Sequence, residues 1–241
     1  MAGRPATAQP AVNKRREAHD ERQTLMAQRK RFALLAEFGV LLALVAEGVI
    51  FSTLSPYFFT SENILNVSLQ TSIIAIIAAG MTFVILTAGI DLSVGSVVAF
   101  TGVIATTLLR LEVPFMAALG IALLAGLCIG TLSGAVAGLL ITKLNITPFI
   151  VTLALMTIWR GAAFLFTDGR PIWDLPEEFS SLAGARIFEV PVPTIIMLAV
   201  FAVGYIVLTR TPFGRYVYAV GGNREAARLA GIRTDRVIIG V

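Results

Sequence analysis

Long apolar runs separated by short polar breaks set the pattern of this chain. Read as helices, the runs give six complete spans, about 33 to 54, 64 to 88, 92 to 109, 115 to 141, 149 to 166 and 193 to 209. A seventh begins near Val237, and the sequence stops at "RVIIGV", too few residues to cross a bilayer; a chain incomplete at its C-terminus is therefore expected. Unbroken runs of roughly 18 to 25 residues predict transmembrane helices, whereas a barrel would show ten-residue segments of alternating polarity. The expected fold class is all-α, a polytopic transmembrane helical bundle.

Composition agrees with the pattern. Hydrophobic residues make up 56%, charged residues 14%, and the mean hydropathy is +0.83, far from soluble averages. The first 31 residues differ: Arg4, Lys14, Arg15, Arg16, Arg22, Arg29, Lys30 and Arg31 stand against three acids. Residues 1–31 are expected to be a basic, partly disordered tail ahead of a membrane domain over 32–241. The apolar segment that follows is too long for a signal peptide and lacks a small-residue cleavage site, so it is read as an uncleaved first span. A cationic cluster beside a membrane helix marks a cytoplasmic end rather than a nucleic-acid site.

Charge also orients the spans. With the N-terminus cytoplasmic, the last inner connection, 210–236, carries Arg210, Arg215, Arg224, Arg228, Arg233 and Arg236 against Glu225 and Asp235. The outer segment from Asp168 to Val192 holds Arg170 and Arg186 against Asp168, Asp174, Glu177, Glu178 and Glu189. Both fit the positive-inside rule, with the chain starting and finishing its six spans on the cytoplasmic side.

"ILTAGIDLSVGSVVAF" poses the sharpest question, because Asp91 is the one charge between Ile73 and Leu109. A straight helix over that stretch would run about 55 Å at ~1.5 Å per residue, against a hydrocarbon core of about 30 Å. The chain is expected to fold back, Gly89 ending one helix in the left-handed conformation and Asp91 or Ser93 capping the next. The alternative leaves Asp91 as a mid-membrane site, at roughly 3 kcal/mol on insertion scales.

Other polar and small residues fall inside the spans. Glu37, near the inner end of the first, can reach the interface or Arg31. Glu47 and Arg160 should share a depth on helices of the same direction, and a contact between them is expected, either structural or on a substrate path. Gly126, Gly130, Gly134 and Gly138, four residues apart, define one face of the fourth span and predict close helix packing. Asn66 and Gln70 form a polar stripe suited to hydrogen bonding between helices or to lining a cavity. Cys128, the single cysteine, lies in an apolar run and is read as packing; no metal site is expected.

Catalytic signatures are absent from the sequence: no phosphate-binding GxxxxGK[ST] loop, no HExxH, no GxSxG, and the one histidine, His19, sits in the basic tail. The chain is expected to hydrolyse no ATP, to have no catalytic residues and to bind no cofactor.

After the sixth span comes "TRTPFGRYVYAVGGNREAARLAGIRTDR". A break at Gly221 and Gly222, Asn223 as N-cap, the helix formers "REAARLA" and a terminal Gly231 predict a short capped helix. Three stretches, "ILTAGIDLSVGSVVAFTGV", "FTDGRPIWDLPEEF" and "FGRYVYAVGGNREAARLAGI", resemble the permease subunits of bacterial ATP-binding-cassette importers of the ribose and xylose type. The resemblance runs from about residue 32 to the end. It implies that Gly222, Asn223, Arg224, Glu225, Ala226, Ala227, Arg228 and Gly231 form the coupling helix, within a coupling segment over 210–236, with Glu225, Ala226, Ala227 and Gly231 in EAAxxxG spacing. It further implies a bacterial inner-membrane importer of a monosaccharide, such as a pentose, whose partners are a cytoplasmic ATPase subunit that uses the ATP, a periplasmic sugar-binding protein and a second permease subunit in a homodimer. Such permeases continue with further membrane helices. The rival expectation is an ion- or proton-coupled secondary transporter that uses Glu47 and Asp91 as proton sites.

Overall fold

The computed structural model describes residues 39–173 and 175–241. The basic tail, Glu37 and Asp174 lie outside the described residues. The chain divides into two units, one through Ile64 and the other over Leu65–Val241.

In the first unit, helix α1 (Gly39–Leu54) is apolar and carries Glu47. Its exit is a hydrogen-bonded turn. Ser55 Oγ accepts from the Tyr57 amide at 3.3 Å, and the Thr60 hydroxyl accepts from the Asn63 amide at 3.3 Å, capping the start of α2 (Ser61–Leu86). Phe51 stacks on Phe58 at 5.6 Å between ring centroids, fixing the turn against its own helix.

The second unit contains the rest of α2, then α3 (Val94–Leu108), α4 (Phe115–Lys143), α5 (Pro148–Thr167), α6 (Glu177–Ala183), α7 (Val192–Arg210), α8 (Pro212–Gly222), α9 (Arg224–Leu229) and α10 (Thr234–Gly240). Among the described residues, helices α2, α4, α5 and α7 are long and apolar enough to cross a membrane, and α3 is shorter. At ~1.5 Å per residue, the 15 residues of α3 reach about 22 Å, because the turn at Asp91 uses up the residues before Val94. The helices turn large apolar side chains outward, Ile74, Leu123 and Leu198 among them. In lipid that surface is the matched one, and a helix satisfies its own backbone there.

Packing inside the unit joins α3, α4 and α5. Leu109, Ala118 and Ala122 form one buried cluster; Ala137, Val151 and Leu155 form another, flanked by Trp159. Trp159 Nε1 donates to Ser133 Oγ at 2.8 Å, tying α5 to α4, and its ring lies 5.1 Å from that of Phe100 on α3. Between α2 and α7 the hydrogen bond is made by Ser68 and Thr194 hydroxyls, 3.1 Å apart, rather than by Asn66 or Gln70.

The glycine stripe is uneven in its contacts among the described residues. Only Gly138 approaches a neighbour closely: a Cβ there would meet the Cα of Ile239, on α10, at 2.8 Å. Gly126, Gly130 and Gly134 have nothing within 4 Å of such a Cβ, so close packing on that face is confined to its Gly138 end among the described residues.

The segment between α5 and α7 holds a small two-stranded ribbon, β1 (Arg186–Ile187) paired antiparallel with β2 (Val190–Pro191). Its two-residue turn puts Phe188 and Glu189 at φ 48° and 65°, the left-handed pair such a tight hairpin requires. Phe188 projects from the tip, 97% exposed.

Candidate functional site

At the α2 to α3 connection the helix breaks between Leu86 and Val94, but the left-handed residue is Ala88 (φ 58°), not Gly89. The Ala88 amide donates to Ile85 O at 2.9 Å and the Gly89 amide to Val84 O at 3.0 Å, the paired bonds of a Schellman ending. Gly89 serves instead by its lack of bulk, since a Cβ there would lie 3.1 Å from both the side chain and the carbonyl of Val84. Asp91 Oδ1 accepts from the Ser93 amide at 2.7 Å and the Ser93 hydroxyl at 2.6 Å. Ser93, 2% exposed, is itself in helical conformation with no capping hydrogen bond, so Asp91 supplies the acceptor at this turn.

Segment 210–236 holds more structure than its glycines indicated. Thr211 accepts from the Gly214 amide at 3.2 Å and Pro212 sits in the first turn, a standard helix start, and α8 runs through Gly221 and Gly222 without breaking. Glycine is needed at 221 for a different reason: the backbone lies against the Leu86 carbonyl at the end of α2, where a Cβ would overlap the oxygen. The break falls at Asn223 alone, whose extended backbone (φ −159°) ends α8 while its Oδ1 accepts from the Ala226 amide at 2.9 Å and starts α9. Gly231, at φ 85°, closes α9: its amide donates to Arg228 O and the Ile232 amide to Ala227 O, both at 3.0 Å.

Helix α9 thus has two faces. Ala227 is buried with Val217, Val220 and Val237, a cluster that also touches Leu86 and Leu208. Glu225, Ala226, Arg228 and Leu229 are exposed. Arg228 holds Glu225 with two hydrogen bonds, 2.7 and 3.1 Å. That hydrogen bonding keeps the Glu225 carboxyl below its ordinary range and raises the Arg228 guanidinium. Asp235, at the start of α10, pairs with Lys143 at 3.0 Å and Arg224 at 3.2 Å, and hydrogen bonding from Lys143, more than from Arg224, holds its carboxyl low.

Two cavities flank these elements. One, about 550 Å³, is bounded by the Thr87–Asp91 turn, Gly134 and Gly138, the Asn145–Pro148 connection and residues 220–224. Asp91 and the start of the predicted coupling helix, far apart in sequence, share this space. The other, about 600 Å³, lies between α3 and α5 and is lined by Ser96, Gly102, Thr106, Arg160 and Arg170. Arg160 therefore faces a cavity. Glu47 belongs to the first unit, and its pairing with Arg160 stays an expectation.

Sequence reasoning missed α8, the Asp235 ties and the Phe188 tip. Thr211 followed by Pro212 was the available signal for α8; contacts between residues 92 positions apart leave no local signal.

Among the described residues, four apolar helices of spanning length, together with short capped helices that present a polar face, define a polytopic membrane protein. Residues 63–241 match the family described as branched-chain amino acid transport system / permease component, and the chain belongs to that family. It is a multi-pass protein of the inner membrane. The chain is 45% identical over 207 residues to the ribose import permease protein RbsC of Haemophilus influenzae, covering 84% of this chain and 63% of that protein. It is 36% identical over 204 residues to the D-allose transport system permease protein AlsC of Escherichia coli, covering 83% and 61%. To the L-arabinose ABC transporter permease protein AraH of Azospirillum brasilense it is 40% identical over 196 residues, covering 80% and 57%. The chain thus spans somewhat under two thirds of the length of these relatives. No solved structure gives a significant match.

Proposed function

We propose that this chain supplies part of the membrane path of an ATP-driven importer for a monosaccharide, a pentose or a similar aldose. The observation that carries the reading is α9, fixed at both ends by Asn223 and Gly231, anchored on one side by Ala227, and open along Glu225, Ala226, Arg228 and Leu229. A rigid helix with a free face can pass a rigid-body displacement from a docked partner to the membrane helices, and only a partner that contacts it differently in two states can shift their balance. The partner is a cytoplasmic ATPase subunit, which binds and hydrolyses the ATP.

In this reading the chain makes six spans with its N-terminus and the 210–236 segment on the cytoplasmic side, as the arginine distribution favours. A second permease copy completes a homodimer. On the opposite face the acidic segment 168–192, with Phe188 at its tip, receives a periplasmic sugar-binding protein. The relatives named for ribose, allose and arabinose support a sugar over the amino acids of the family's description. The test is uptake by proteoliposomes holding the whole permease: accumulation of sugar that requires the ATPase, ATP and the binding protein is expected. Accumulation driven by a proton gradient without the ATPase would contradict it.

A further inference from the structure

Asp235 uses its two carboxylate oxygens on two different elements. Oδ2 accepts from Nζ of Lys143, the last residue of α4, at 3.0 Å, and Oδ1 accepts from Nη2 of Arg224, the first residue of α9, at 3.2 Å. One side chain therefore ties the helix with the EAAxxxG spacing to the end of a 29-residue membrane helix.

Stability is a poor reason for this arrangement. The three side chains are 38% to 61% exposed, and exposed pairs of this kind contribute roughly 0–1 kcal/mol each. What a shared carboxylate adds is relative position. The inner side of α9 is seated by Ala227, the only buried residue of the helix. Arg224 lies at its N-terminal end, where the tie to Asp235 adds a second, polar attachment of α9 to α10. Helix α10 is in turn seated on α4, where Gly138 admits the backbone of Ile239. A displacement of α9 therefore reaches α4 at two points, Lys143 and Gly138, five residues apart on one helix. Gly134 and Gly138 line the cavity that Asp91 also lines.

We propose that Asp235 is a positioning residue that couples displacement of α9 to α4, and through α4 to the cavity beside Gly134 and Gly138. This rests on the reading of α9 as the coupling helix, and the experiment has two arms so that the two ideas fail separately.

The first arm needs no ATPase. Spin labels at Leu144→Cys and Leu229→Cys, both exposed positions, are placed in a Cys128→Ser background and their separation is measured by pulsed electron resonance. Asp235→Asn is expected to broaden the distance distribution and Asp235→Glu to restore it; an Asp235→Asn distribution identical to the parent's overturns the proposal. The second arm measures sugar imported per ATP hydrolysed in the assembled transporter. Asp235→Asn is expected to retain the ATPase on purification yet to lower this ratio about fivefold, the size of effect typical of residues that modulate coupling, with recovery in Asp235→Glu. An unchanged ratio overturns the proposal. If the parent chain retains no ATPase, the coupling-helix reading falls instead, and the distance measurement still decides the tie.

Discussion

Gly221 lies against the Leu86 carbonyl so closely that the end of α8 and the end of α2 share one surface with no side chain between them. Next to it, Gly222 faces open space and has no left-handed backbone angle to justify glycine. The two neighbours should therefore respond oppositely to the same change. Gly221→Ala is expected to destabilise the protein by about 1–3 kcal/mol or more, as overpacking against backbone does. Gly222→Ala should be neutral or stabilising by up to about 1 kcal/mol, alanine being the better helix former. Thermal unfolding of both variants in detergent checks the contrast.

Asp91 distinguishes an ATP-driven permease from an ion-coupled transporter. Its Oδ1 holds the Ser93 amide and hydroxyl, and Ser93 is buried, so Asp91→Ala leaves two polar groups without their acceptor. A loss of roughly 1–3 kcal/mol follows from that desolvation. Asp91→Asn keeps an oxygen acceptor and should retain most of both stability and transport. An ion-coupled transporter that used this carboxylate as a proton site would lose transport in Asp91→Asn, so uptake by that variant distinguishes the two.

The ion pairs around α9 imply a definite pH response. Glu225 and Asp235 both have carboxyl groups held below their ordinary values by cationic partners. For such groups the stabilising contribution is complete above the unfolded value, about 4 for a carboxylic acid, and is lost as pH falls through the lower folded value. The spacing between spin labels on α4 and α9 should accordingly stay constant from about pH 8 to about pH 5 and change only below about pH 4. A change centred near neutrality would contradict this assignment of the charges.

Much of this architecture was legible beforehand. Predicted spans at 115 to 141 and 149 to 166 became Phe115–Lys143 and Pro148–Thr167, because an apolar run must match the bilayer and its ends are set by the same solvent boundary. The caps at Asn223 and Gly231 were also readable, each depending on one residue's local chemistry. What escaped was relational. The helix-ending conformation fell on Ala88 because Gly89 was needed for contact with Val84, and composition alone does not distinguish a glycine used for its dihedral from one used for its size. Gly221 misled in the same way, and the pairing of Lys143 with Asp235 exists only once α10 has folded onto α4.

Phe188 offers a test of the opposite face. A phenylalanine in left-handed conformation with 97% of its surface exposed contributes nothing to the packing of the ribbon that carries it. Phe188→Asn suits the turn better, since asparagine tolerates that conformation, and should leave the fold intact or slightly more stable. If the ribbon receives the sugar-binding protein, the same variant should need severalfold more binding protein for half-maximal uptake, the loss of an exposed aromatic anchor being worth about 1 kcal/mol or more. Titration of uptake against binding-protein concentration reads this directly.

In the proposed importer the exposed face of α9 docks an ATPase subunit. Co-purification measures it most directly: the tagged permease is expected to retain the ATPase from solubilised membranes, and Glu225→Arg, which breaks the Glu225–Arg228 pair and places two cations on that face, is expected to release it while the permease stays folded. Retention of the ATPase unchanged by Glu225→Arg would mean that this face of α9 does not dock it.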